Sequence, residues 1–191
     1  MADILAWLEA TRLASSIRDS LYFFPFLESI HVIGLTLVFG TISIVDLRLL
    51  GLASTRRPFS RVAQDTLRWT WFAFALTVVT GALMFITNAG VYYHSLPFRL
   101  KMAMLVVSGL NLAIFDRTTM PSVAGWDTDK SAPPAGKIAA AVSLVLWLAI
   151  IFAGRWIGFT TSRAKFQPEP EINIDNLFLP STKEIKPKDS R

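Results

Sequence analysis

Apolar residues gather along this chain into four runs, at about residues 21–46, 69–90, 98–115 and 138–159. Each run is long enough to cross a hydrocarbon layer about 30 Å thick, for which about 20 helical residues suffice. A backbone in lipid must satisfy its own hydrogen bonds, so the runs read as helices. The pattern predicts an all-α, polytopic membrane protein, an up-down four-helix transmembrane bundle. Ahead of it, residues 3–18 carry Ile4, Leu5, Leu8, Leu13 and Ile17 at near-helical spacing, with Glu9, Arg12 and Arg18 elsewhere around the helix. With Trp7, that suits a short amphipathic helix lying in the membrane interface, or one packed on the bundle.

The domain reading is an interfacial helix over 1–20, a membrane bundle over 21–160 and an extended or disordered tail over 161–191. Pro168, Pro170, Pro180 and Pro187, mixed charge and no apolar periodicity set the tail apart. The first run is too long for a signal-peptide core and has no A-x-A-like site behind it, so it reads as a retained span. The stretch 116–137 reads as a polar loop.

Composition narrows the class. Apolar residues make up 52% of the chain and charged residues only 17%, and mean hydropathy is +0.45. The net charge of +5 sits mostly in connectors and the tail, where it meets lipid headgroups rather than nucleic acid. With no cysteine, disulfides, thiolate metal sites, iron–sulfur ligation and covalent c-type haem attachment are excluded. The connector after the first span holds Arg48, Arg56, Arg57, Arg61 and Arg68. By the positive-inside rule it faces the inner side, which predicts N-out and C-out. The basic start of the tail argues the other way.

Candidate chemistry collects at the opposite end. Glu28 and His31 lie three residues apart in the first span, one helical turn on a common face, and ionisable groups at such depth are costly and usually functional. Arg99 and Lys101 open the third span, Arg155 closes the fourth, and Tyr92, Tyr93 and His94 end the second. One reading is a bundle holding haem b. His31 would ligate the iron, Arg99, Lys101 and Arg155 would pair with propionates, and glycines at 34, 81, 109 and 154 would admit the macrocycle. His94 lies about 12 Å above His31 at 1.5 Å per residue, too far for a second axial ligand, which leaves Met84, Met102 or an open position.

A second reading is a copper ion on His31, Glu28 and a methionine, or proton transfer between Glu28 and His31. A dinuclear site is excluded, because no other span carries a Glu. The plainest reading pairs His31 with Glu28 by a buried hydrogen bond, in a structural or assembly subunit that meets other membrane subunits through its tail. In that case Asp46, Arg48, Trp69, Asp116 and Arg117 are ordinary boundary residues, and Asn111 and Ser108 make interhelical hydrogen bonds.

The segments His31-Val32-Ile33-Gly34, Phe39-Gly40, Val45-Asp46-Leu47-Arg48-Leu49-Leu50-Gly51, Thr80-Gly81-Ala82-Leu83-Met84-Phe85, Pro97-Phe98-Arg99-Leu100-Lys101-Met102 and Gly109-Leu110-Asn111 resemble an uncharacterised family of small bacterial four-helix inner-membrane proteins. The resemblance covers about residues 1–116 and implies fold and location. More distantly, a His followed by spaced glycines is similar to copper-resistance D-type proteins and to membrane protoporphyrinogen oxidases that bind haem b. The oxidase-type Lys before the His and its Tyr-Leu-Pro-Arg run are not present. This likeness implies His31 as haem ligand and Lys101 as the matching basic residue.

Overall fold

The computed structural model describes residues 2–129 and 132–165, with side chains to Phe159. The chain divides into two compact units, 1–157 and 158–191. The described part of the second is helical, over 158–165. The expectation of an extended tail therefore fails for 161–165, and residues 166–191 lie outside the described residues.

Eight apolar or amphipathic stretches fold into helices and no strand occurs among the described residues. Helices α1 (Ala2–Glu9) and α2 (Arg12–Asp19) precede the spans α3 (Phe23–Leu50) and α4 (Phe59–Thr87). A short α5 (Ala89–His94) leads into α6 (Leu96–Thr118), a 3-10 turn follows over Met120–Gly125, and α7 is Pro134–Lys165. Four of these helices, α3, α4, α6 and α7 to Phe159, are long and apolar enough to cross a membrane. The protein is a multi-pass membrane protein.

The helices outrun the apolar runs. α4 begins at Phe59, ten residues before the expected start at 69, because a hydropathy reading ends where polar side chains begin, while helical hydrogen bonding continues past them. α3 runs on to Leu50 and stops at Gly51, whose φ of 77° places it in the left-handed region. There the N–H of Gly51 bonds Arg48 O and those of Leu52 and Ala53 bond Leu47 O, a glycine-terminated helix end that a side chain would strain. The expected single N-terminal helix is two. It breaks at Thr11, whose hydroxyl accepts from the N–H of Ala14 and caps α2. The pair is tied to the bundle by the Glu9 carboxylate, which accepts from the N–H of Gly90 at 2.8 Å, and by Arg18, which donates to Thr87 O at 3.3 Å.

α3 and α4 pack against each other along much of their length. On α4 the buried positions Thr66, Ala73, Thr80 and Thr87 recur every seven residues, the period of a seam that faces one partner continuously. Small residues along that seam let the backbones approach. A Cβ on Gly34 of α3 would stand 2.5 Å from Thr77 Oγ1. Each threonine hydroxyl on α4 is spent on its own helix, as in Thr66 to Val62 O and Thr77 to Ala73 O, so the seam buries no unmet donor.

Two apolar clusters complete the core. Val38, Ala73, Trp147 and Ile150 pack together at mid-bundle. Leu49, Phe59, Trp126, Ala132 and Ala140 close the end reached by the C-terminus of α3. The stretch 116–137 is more ordered than a polar loop. α6 extends to Thr118, and the buried Trp126 indole donates to Ser122 Oγ.

Candidate functional site

His31 and Lys101 are brought together by all four spans. His31 lies eight residues into α3, about 12 Å along its axis at 1.5 Å per residue. Its Nδ1 meets Thr80 Oγ1 of α4 at 3.0 Å, and its ring rests on Gly81, where a Cβ would come within 3.0 Å of Cε1. Lys101 of α6 is half-buried and lies within electrostatic reach of His31. Its ammonium stands over Gly154 of α7, 3.6 Å from where a Cβ would be. Two cationic or ionisable side chains thus rest on two glycines, each from a different span.

Thr80 is the partner sequence reasoning missed. It is buried, and its hydroxyl also lies 2.8 Å from Leu76 O and 3.2 Å from Thr77 O. A hydroxyl has one proton. When that proton goes to the helix carbonyl, the oxygen accepts from an Nδ1–H and leaves Nε2 as the lone-pair nitrogen. The signal in the sequence was the seven-residue repeat on which Thr80 falls.

Glu28 does not join His31. It is exposed, and its negative charge bears instead on Tyr92, in the connector helix α5. Burial, with that charge second, holds the Tyr92 phenol above the usual tyrosine range. One turn on one helical face does not ensure contact, because the face itself is shared between the core and its surroundings. The proposed hydrogen bond between Glu28 and His31 is therefore replaced by the one to Thr80.

Of the other expected residues, Arg99 and Arg155 are exposed at the same end of the bundle. His94 is exposed too, its ring edge-on to Tyr93 with centroids 5.4 Å apart. Beside Lys101 in sequence, Phe98 stacks on Phe85 at 5.3 Å and packs on Tyr92 at 5.9 Å, which fills the space between α4, α5 and α6 at this end.

The expected glycine slot is largely spent on packing. Gly34 faces Thr77, Gly81 faces His31 and Gly154 faces Lys101, while Gly109 has nothing within 4 Å of its would-be Cβ. No group of three or more His, Cys, Asp or Glu that could hold a metal ion occurs among the described residues. Any metal at His31 would have to bring most of its own ligands.

At the other end Arg48, read as a boundary residue, is fully buried at 0% exposure. Its Nε donates to Arg57 O at 3.0 Å, and its Nη2 donates to Asp127 O at 3.1 Å and Asp129 O at 2.9 Å. Asp127 in turn receives the N–H of Ser60 at 2.7 Å and the Ser60 hydroxyl at 2.9 Å, so a residue from a distant loop caps α4. Those bonds, with the nearby Arg48 guanidinium, hold the Asp127 carboxyl below the usual carboxylate range. Asn111 donates to Ala139 O at 2.9 Å, the expected bond between α6 and α7.

No curated protein and no solved structure matches the chain. The profile of a family of unknown function, DUF6644, matches residues 6–160, which takes in the spans and both polar centres. This four-span membrane protein, with its His31–Thr80–Lys101 node, belongs to that family.

Proposed function

We propose that the protein is a b-type haem-binding redox or accessory subunit of a bacterial inner membrane, in which His31 would hold the iron. The observation that carries this reading is a lone imidazole inside a membrane bundle, its Nδ1 fixed by Thr80 at 3.0 Å, with no other metal-binding cluster among the described residues. A second-shell hydrogen bond on one ring nitrogen is how ligating histidines are held to one tautomer and orientation, with the other nitrogen presented to the metal. A macrocycle supplies four nitrogens itself, so one protein nitrogen suffices. This donor set suits haem better than a copper ion, for which exposed Glu28 is no co-ligand.

The fit is one of donors and charge. His31 Nε2 would hold the iron, and Lys101, with Arg99 and Arg155 at the same end, would pair with the two carboxylates. When bound, the group supplies one-electron transfer within the membrane. The chain's own residues fix the ring, place positive charge beside it and close the α3–α4 seam behind it. Exposed Arg56, Arg57, Arg61 and Arg68 at the far end support the orientation with both termini outward.

Oxidised and dithionite-reduced absorption spectra of the detergent-purified protein test the proposal. A Soret band with a reduced α band is expected, lost in His31→Ala and kept in His94→Ala. A featureless spectrum, with no iron by elemental analysis, would refute it. His31 and Thr80 would then be an interhelical lock, and the function would lie with partner subunits.

A further inference from the structure

A second polar layer crosses the bundle where neither the haem reading nor the Arg48 contacts use it. Asp46 of α3 is 6% exposed, and its Oδ2 has no hydrogen-bond partner. One turn earlier, the buried Oγ of Ser43 has none either. From α7, the Ser143 hydroxyl lies within hydrogen-bonding reach of the Asp46 carboxyl. The layer is sandwiched between the two apolar clusters, with Ile42 and Trp147 on one side and Val45, Leu49 and Ala140 on the other. No cation lies within salt-bridge distance of Asp46 among the described residues. Arg48, the buried cation at this end, is taken up by the carbonyls of Arg57, Asp127 and Asp129, and the other charged side chains of the packed helices here, Arg61, Asp65, Asp116, Arg117 and Lys137, are exposed.

We propose that Asp46, Ser43 and Ser143 form a binding site for an alkali-metal cation of the size of Na⁺. An unpaired carboxylate within a membrane span must be neutralised. A proton would remove the charge and turn one carboxyl oxygen into a donor, but would bring no ligand to the Ser43 hydroxyl, which has no partner of its own. A divalent ion would leave an uncompensated positive charge in a medium of low dielectric. A single monovalent cation neutralises Asp46 and gives both orphan oxygens a partner at once. Carboxylate and hydroxyl oxygens are the hard donors such an ion prefers. The site stands on α3 and α7 and does not rest on the reading of His31.

The test is thermal unfolding of the detergent-purified full chain in NaCl against choline chloride at equal ionic strength, with direct binding of ²²Na⁺. A saturable rise in Tm with Na⁺ is expected, with about one ion bound per chain. Asp46→Asn should abolish both. Ser43→Ala keeps the charge and removes one oxygen, and should weaken the Na⁺ midpoint about tenfold or more, so the test survives if the Asp46 variant does not fold. Identical unfolding in the two salts, with no bound ²²Na⁺, would overturn the proposal. So would a carboxylic C=O infrared band in NaCl that Asp46→Asn removes, since Asp46 would then hold a proton and water would satisfy Ser43.

Discussion

Thr80 Oγ1 stands 3.0 Å from His31 Nδ1, and this contact joins the first two membrane spans at the one histidine the bundle half-buries. Removing the hydroxyl leaves the half-buried ring with the Thr77 carbonyl but without its side-chain partner. Thr80→Val should cost about 1–2 kcal/mol, in the range for orphaning a polar group, and Thr80→Ser should restore most of it. Melting of the purified variants reads this directly. A Thr80→Val protein as stable as the parent would show that the contact does not fix the ring.

Arg48 carries a heavier load, because its guanidinium is fully buried and donates to carbonyls of two separate connectors. Arg48→Ala should cost about 3 kcal/mol or more, since charged hydrogen bonds contribute about 1.5–3 kcal/mol each and their buried acceptors are left unmet. Arg48→Lys keeps the charge but not the planar fork, and should recover only part. Hydrogen exchange should rise first in residues 52–58 and 126–129.

Asp127 gives the same end a dependence on acid. Its carboxyl is held below the ordinary value of 3.8 in the folded protein, so the unfolded chain takes up the proton first. The contribution is therefore complete above about pH 5 and lost as pH falls through the depressed folded value. Asp127→Asn should flatten the acid limb of a stability-against-pH curve. Asp127→Ala should also cost about 1 kcal/mol at neutral pH through loss of the cap. An unchanged acid limb in Asp127→Asn would remove Asp127 from the account.

The α3–α4 seam can be probed with a methyl group. On Gly34 it would meet Thr77 Oγ1 at 2.5 Å, while on Gly40 it would meet nothing within 4 Å. Gly34→Ala should destabilise by about 1–3 kcal/mol, as overpacking does, and Gly40→Ala should be neutral or slightly stabilising. Adding Thr77→Ala to Gly34→Ala should return most of the loss. Equal effects at the two glycines would mean that the helices are not in this register.

The four spans, the all-helical fold and the placement of His31 about 12 Å inside its helix were legible without coordinates. Hydropathy is a local property, and a membrane allows an isolated apolar stretch only one solution, a helix with its hydrogen bonds made internally. The heptad of Thr66, Ala73, Thr80 and Thr87 was on the page as well, although a repeat says that a face is shared and not with whom. Partnership was decided by the tertiary structure. Glu28 shares a turn with His31 and still faces away, because the rotation of α3 is set by its packing on α4 through Gly34, not by the polarity of two side chains. Arg48 reads as a headgroup charge until the carbonyls of Arg57, Asp127 and Asp129 are brought around it, 9, 79 and 81 residues away along the chain. Composition determines which segments enter the membrane. Which polar groups meet there depends on helix rotation and loop closure, and these follow from contacts between residues far apart in sequence.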